Sequence, residues 1–255
     1  MKNPQNILIT GASSGLGRAF AIEYSSPGVS LFLSGRNLAN LEKTAHDCKI
    51  NGAHVETEIL DVSDLSAMTD WIDKIETGHA LELVIANAGI SGGTAGSGED
   101  DDQTRNIFAT NMAGTLNTIL PAIKYMKHRK AGQIAIISSL ASFRGLPGAP
   151  SYSASKAAIR VYGEAIRGEL SDYNIGVSVI CPGYIKTPMT DVNKFPMPLL
   201  MSANKAAVLI KKRLKNNPAR IAFPFLMYAI VWLMGCLPPG LTDPIFKKLP
   251  KKARE

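Results

Sequence analysis

The sequence predicts an α/β fold, a doubly wound and mostly or wholly parallel sheet in one domain. Short apolar runs alternate with helix-length segments along most of the 255 residues. Most of these runs are apolar at consecutive positions, as strands covered on both faces must be. A glycine-rich turn, residues 10–17, separates the first run from the first helical segment. Repeated β-α-β connections of this kind produce a doubly wound sheet.

Taken in order, residues 7–9, 30–33, 55–59, 83–85, 133–137 and 177–180 read as strands. Residues 16–25, 37–51, 63–76, 103–128 and 152–172 read as the helices between them. Two loops stand apart. Residues 91–102 are glycine-rich and end in Glu99, Asp100, Asp101 and Asp102; this is expected to be a solvated loop with acids near a helix N-terminus, where they are favourable. Residues 185–201 are rich in Pro, Met and Leu and follow the sixth strand. They lie on the carboxyl edge of the sheet, where such folds bind ligands, and Phe195–Met201 within them suggests an apolar or lipid-like substrate.

Composition sets the wider limits. With 45% hydrophobic and 19% charged residues the chain is ordinary globular protein, neither disordered nor disulfide-built. Cys48, Cys181 and Cys236 form no C-x-x-C pair and are expected as small buried hydrophobes. His46, His54, His79 and His128 show no metal-ligand spacing, so no zinc site is expected. The opening residues show no secretory pattern, which predicts a cytoplasmic location. The net charge of +7 is uneven: from Lys205 onward there are eleven basic and two acidic residues, while the body before it is near neutral. The basic residues adjoin an apolar stretch and not the interleaved aromatics of a nucleic-acid module, so they point to a membrane surface, and no nucleic-acid partner is expected.

The chemistry-bearing motifs come next. Gly11, Ser13, Ser14, Gly15, Leu16 and Gly17 sit where a strand turns into a helix. Glycines let backbone approach a pyrophosphate closely, and the helix N-terminus supplies free N–H groups and a positive dipole. At the end of the second strand, where an acid would accept from a ribose 2′-hydroxyl, stands Gly35, followed by Arg36 and Asn37. A forked guanidinium suits a 2′-phosphate, which predicts NADP(H) over NAD(H). Tyr152 and Lys156 form Y-x-x-x-K on a predicted helix, where residues four apart share a face. A cation beside a phenol favours the phenolate and eases proton exchange.

Further pieces accumulate around this pair: Asp61-Val62, Asn87-Ala88-Gly89 closing the fourth strand, Asn111 in a helix, Ser138-Ser139 closing the fifth, and Pro182-Gly183 with Ile185 and Thr187. Together they resemble the short-chain dehydrogenase/reductase family over residues 7–190. The resemblance implies a Rossmann-type domain with an Asn-Ser-Tyr-Lys tetrad of Asn111, Ser139, Tyr152 and Lys156. Tyr152 would be general acid for ketone reduction and general base for alcohol oxidation. Ser139 would orient the substrate oxygen, Lys156 would bind the nicotinamide ribose and assist Tyr152, and Asn111 would hold a water in a proton relay. Asp61 and Val62 would meet the adenine, and Asn87, Ala88, Gly89, Pro182, Gly183, Ile185 and Thr187 the rest of the cofactor. Relatives usually pair through the helices carrying Asn111 and Tyr152, so a homodimer or homotetramer is expected, with Ala157, Ala158, Gly163, Ala165 and Gly168 allowing close helix approach. Ala86 departs from the family, which often has a second Asn there, and the loop at 91–102 is longer than many relatives carry. A rival reading, a catalytically silent NADP-binding scaffold or sensor at a membrane, would be eliminated by turnover of any ketone or alcohol.

Residues 1–220, with the substrate loop 185–201, are expected to form the dinucleotide-binding and catalytic unit. Residues 221–255 would add a strand, an apolar helix and a basic tail to the same domain. By family logic residues 220–224 would be the seventh strand. Residues 221–242 contain no charge. The helix-compatible run 225–237 covers only roughly 20 Å, short of a hydrocarbon core near 30 Å. Lys211, Lys212, Arg213 and Lys215 precede it, and Lys247, Lys248, Lys251, Lys252 and Arg254 follow. An apolar helix with a basic patch makes a two-part peripheral anchor, so contact with the cytoplasmic face of a membrane through residues 225–254 is expected. The alternative is that this helix covers the active site and packs inside an oligomer.

Overall fold

The computed structural model describes residues 3–92 and 98–249. Alternation inside each apolar run decides the layering. In β1 (Asn6–Thr10), Ile7 and Ile9 enter one hydrophobic layer and Leu8 the other, and all three are fully buried. Leu31 and Leu33 stand against Phe32 in the same way in β2 (Ser30–Gly35), as do Leu83 and Ile85 against Val84 in β4 (Leu83–Ala86). A strand buried on both faces must have helices on both sides. The first layer is covered by α1 (Gly15–Tyr24), α2 (Leu38–Ile50) and, late in the chain, α8 (Ala203–Leu214). The second is covered by α3 (Leu65–Gly78), α5 (Gly114–Arg129) and α6 (Pro150–Ser171). Each fully buried Leu, Ile or Phe contributes about 1.5–3 kcal/mol relative to exposure.

With β3 (His54–Ile59), β5 (Gly132–Ile137), β6 (Ile175–Pro182) and β9 (Arg220–Phe223), the sheet has seven strands in the order β3-β2-β1-β4-β5-β6-β9. Every pairing is parallel. Among the described residues the edge strand β3 pairs only with β2; it exposes Glu56 and leaves Glu58 half-buried, a charged edge that resists pairing with another chain. The order reverses between β1 and β4, and at that switch point the carboxyl ends of the strands open a crevice.

Several expectations are corrected. The stretch expected as one helix, residues 103–128, is α4 (Asp101–Phe108), a π-helical turn over Ala109–Ala113 and then α5. The loop after β6 holds a short parallel pair, β7 (Ile185–Lys186) with β8 (Met201–Ser202), around α7 (Pro188–Asp191). Pro238-Pro239-Gly240 ends α9 (Phe225–Cys236) as expected, but Pro239 then starts another helix, α10 (Pro239–Phe246), because proline suits a first helical position. Cys236 is exposed where burial was expected, since it falls on the outer end of α9. Gly163 faces the sheet and not a helix partner: a Cβ there would lie 2.7 Å from Val179 and 2.9 Å from Ile136. Lys251, Lys252 and Arg254 lie outside the described residues. So do residues 93–97 of the acidic loop.

Candidate active site

The crevice at the switch point is a cavity of about 550 Å³. It is bounded by the β1–α1 turn, the ends of β2, β4, β5 and β6, the start of α6, and α7.

At one end lies the glycine turn. Gly11 and Gly15 have φ of +68° and +54°, which side chains adopt rarely. Gly17 is fixed by contact: a Cβ would come 2.2 Å from the Gly11 carbonyl oxygen and 2.6 Å from the Asn87 amide nitrogen. Asn87 Nδ2 donates to Thr10 O at 2.9 Å, tying β4 to the turn. Ser14 makes no side-chain cap to α1, so its hydroxyl takes up none of the first-turn N–H groups. Gly11, Ser13, Ser14, Gly15 and Leu16 line the cavity, and Gly17 does not, serving as the contact beneath the turn. Thr187 reaches over from the other side, its methyl 3.1 Å from where a Gly15 Cβ would be.

Arg36 and Asn37 line the cavity past β2; Asn37 also caps α2 by accepting from Asn40 N–H. Arg36 Nη1 lies 3.3 Å from Asp61 Oδ2, and both side chains are well exposed. Burial disfavours the Asp61 carboxylate, but bonds from Ser63 N–H and Oγ–H and the Arg36 guanidinium outweigh that and hold its pKa below the ordinary value. Val62, Asn87, Ala88 and Gly89 complete this wall.

At the other end stand Ser139, Tyr152 and Lys156. Lys156 is buried; its Nζ donates to Ile137 O at 2.9 Å and lies 5.9 Å from the centre of the Tyr152 ring. Burial lowers its pKa from the usual lysine value to about 8. The two serines after β5 divide their tasks. Ser138 Oγ donates to the main-chain oxygen of Lys156 at 2.8 Å and pins α6, while Ser139 Oγ accepts from Ala141 N–H at 3.1 Å. Pro182, Gly183, Ile185 and Thr187 close the cavity.

Asn111 does not line the cavity. It is fully buried in the π-helical turn, its amide exchanging two bonds with the Ile90 main chain (2.8 and 2.9 Å) and donating to Ser155 Oγ at 3.1 Å. It joins the loop after β4 to α6. π-Turns within helices occur often at functional sites.

Sequence reasoning missed other wall residues, Ser34, Leu60, Ile90, Thr110, Pro188, Met189 and Thr190 among them, whose only signal was adjacency to the motifs. The acids of residues 99–102 do sit at helix N-termini, Asp100 capping α4, but Glu99 is half-buried and not solvated. Its carboxylate accepts from Ser151 N–H at 3.0 Å and from the Ser151 hydroxyl, at the start of the helix that carries Tyr152. The apolar run 195–201 does not line the cavity; Phe195 packs edge-on against Tyr184 instead.

A nicotinamide dinucleotide fits this cavity. At Gly11 and Gly15 a Cβ would intrude on the wall of the cradle, and Ser34 Oγ, at the cavity wall, is buried without a hydrogen-bond partner. Fold and cavity define the class as a nicotinamide-dependent oxidoreductase of CH–OH and C=O groups. The chain belongs to the short chain dehydrogenase family, whose pattern matches residues 5–195. It is 36% identical over 243 residues to an uncharacterized oxidoreductase of Myxococcus xanthus, covering 95% of this chain and 96% of that one. A 3-oxoacyl-[acyl-carrier protein] reductase of Brucella melitensis, solved with bound NAD, is similar at 27% identity and TM-score 0.72, over 86% of this chain and 88% of that one. Levodione reductase shares the fold at TM-score 0.79 and 21% identity, over 88% and 98% of the two chains.

Proposed function

We propose that the chain is an NADP-dependent oxidoreductase moving a hydride between nicotinamide and an alcohol/ketone pair, with an apolar or lipid-like carbonyl as substrate. The observation that carries this reading is the meeting of Ser139, Tyr152 and Lys156 with the glycine turn and Arg36 in one cavity. When bound, the nicotinamide supplies the hydride for reduction or accepts it in oxidation. Tyr152 gives its phenolic proton to the carbonyl oxygen as that oxygen gains negative charge, and takes a proton from the alcohol in the reverse direction. Ser139 donates its hydroxyl hydrogen to the same oxygen and orients it. Lys156, buried beside the phenol, favours the phenolate in its charged form and binds the ribose hydroxyls. Asn111 holds the Ile90 loop and α6 in register, and by the family resemblance would also hold the relay's water.

Gly11 to Gly17 cradle the pyrophosphate, Arg36 and Asn37 meet the 2′-phosphate, and Asp61 and Val62 meet the adenine. Asn87, Ala88, Gly89, Pro182, Gly183, Ile185 and Thr187 enclose the nicotinamide half. The apolar substrate reading rests on Ile185, Pro188 and Met189 at the cavity wall, and not on residues 195–201. The Brucella protein's name, a reductase of 3-oxoacyl groups, points the same way. The reading includes a homodimer or homotetramer formed through α5 and α6, where Leu120 and Val161 are exposed together with Ala165 and Gly168. It also includes peripheral contact with a membrane through residues 225–254.

A screen of NADPH consumption against acyl, steroid-like and sugar-linked ketones tests the substrate class. Turnover of the acyl or steroid-like ketones is expected. Consumption with none of them would favour the silent scaffold, and consumption with sugar-linked ketones alone would contradict the apolar reading.

A further inference from the structure

Helices α9 and α10 turn only one side each toward the protein. On α9 the inner residues Met227, Tyr228 and Val231 pack on Leu140, Val179 and Cys181. Gly235 approaches the loop after β5 so closely that a Cβ would come 2.2 Å from the Phe143 carbonyl oxygen. The outer side is apolar and in solvent: Phe225 is 78% and Leu226 64% exposed, with Ile230 and Leu233 also open. α10 continues the pattern, with Leu241 at 68% and Ile245 exposed. Its inner side is held by Arg144, whose Nη2 meets Asp243 at 2.6 Å and whose Nε donates to Thr242 Oγ1 at 3.1 Å. The same guanidinium lies 5.0 Å from the centre of the Phe246 ring. Both helices are therefore fastened to the segment that follows Ser139.

Single exposed leucines are normal, but apolar residues along two consecutive helices mark an interaction site. We propose that α9 and α10 form a fixed platform that seats on an anionic lipid surface and brings the cavity to the lipid, an inference that rests on the reading of an apolar substrate. Charge selects the occupant. Residues 221–242 carry no charge. The only acid in residues 221–249 is Asp243, which is already engaged by Arg144. Lys247 and Lys248 are exposed at the end of α10, and the sequence continues with Lys251, Lys252 and Arg254. This face thus presents hydrocarbon and uncompensated positive charge, which suits an anionic leaflet. A second copy of the same face would bring as many cations again, against Glu255 and an Asp243 already engaged by Arg144.

Length selects the mode. The 12 residues of α9 span about 18 Å, well short of a hydrocarbon core near 30 Å. Among the described residues no helix is long and apolar enough to cross a membrane. A helix pair fixed to the protein can lie in the interface, and the exposed Trp232 is a side chain suited to that depth. Position links the platform to the chemistry. A Cβ on Gly183, which lines the cavity, would meet Met227 Sδ at 3.0 Å, so the base of α9 touches the cavity wall.

The test uses the full chain with vesicles of phosphatidylglycerol and phosphatidylcholine, or of phosphatidylcholine alone, at low and high salt. The protein is expected to sediment with the anionic vesicles at least tenfold more strongly at low salt. Trp232 emission should shift to the blue and be quenched by brominated acyl chains; the other tryptophan, Trp71, is buried and should not respond. Leu226→Glu with Leu233→Glu, and separately Lys247→Glu with Lys248→Glu, should each weaken vesicle binding tenfold or more. Both should keep the wild-type rate on a soluble ketone. A full-length protein that stays in the supernatant at low salt overturns the platform, as does vesicle binding unchanged by the Leu226/Leu233 pair. If that pair turns an oligomer into a monomer by light scattering, a second copy covers the face and the proposal fails. Vesicle binding without turnover of any ketone would instead contradict the oxidoreductase reading and leave the platform standing.

Discussion

Arg36 and Asp61 face each other at 3.3 Å, so a 2′-phosphate arriving here competes with a carboxylate for the guanidinium. The magnitudes favour the phosphate: an exposed ion pair is worth about 0–1 kcal/mol, and a hydrogen bond to a charged group about 1.5–3. Arg36→Ala is therefore expected to lower the ratio of NADPH to NADH affinity roughly tenfold or more, measured by cofactor titration. An unchanged ratio would show that Arg36 does not read the phosphate. Lys156 supplies a second residue-scale prediction. Its folded pKa is about 8, below the roughly 10.4 of an unfolded lysine. Between those values the unfolded chain binds more protons, so this group makes the native state more stable as pH rises from 8 to about 10.4; below 8 its burial penalty is constant and complete. Compared with Lys156→Met, the wild-type melting temperature without cofactor should gain as pH is raised through that window. A difference that stays flat would mean Lys156 is not held in the burial described.

The helix that presents Tyr152 begins without a cap of its own. Its N-cap is Ala149, which has no side-chain acceptor, and Glu99 supplies the missing one from 52 residues away. Glu99→Ala should cost about 1 kcal/mol in urea unfolding, the usual worth of a cap, and lower turnover by loosening the first turn of α6. Glu99→Gln keeps one acceptor and should retain more of both; equal losses in the two variants would contradict the capping role. Glu99 also shows where sequence reasoning stopped. Tyr152 and Lys156 were legible because a helix turns a spacing of four into one face, and the glycine turn because its place between strand and helix has a physical use. Glu99 stood in a run of acids that looks solvated, and its partner is distant in sequence. The π-turn at Asn111 leaves no periodic mark, so residues 103–128 read as one helix. α10 was hidden because Pro238-Pro239-Gly240 signals an end more loudly than it signals a new start. Gly163 is a small residue whose helix face only packing could assign. Most strands of the parallel sheet were readable, since those buried on both faces are apolar at nearly every position, while the seventh was expected only by family logic and the edge strand β3 carries Glu56 and Glu58.

For the whole molecule, two of the regions that expose apolar residues have different expected fates. Leu120 on α5 and Val161 on α6 belong to the proposed subunit contact. Light scattering at micromolar concentration should give a dimer or tetramer, and Val161→Glu should reduce its mass; a wild-type monomer would contradict this assembly. The exposed side of α9 and α10 is left for lipid. In the cavity the parallel sheet, the glycine turn and α6 converge on one proton donor. That convergence is tested most directly by Tyr152→Phe, with turnover of a ketone by NADPH measured beside the circular dichroism spectrum and NADPH affinity of the same preparation. The phenol is the positioned acid, so the variant should keep its fold and its cofactor affinity while losing roughly 10²–10⁴ in rate. A folded, NADPH-binding Tyr152→Phe protein that turns over at near the wild-type rate would contradict the assignment.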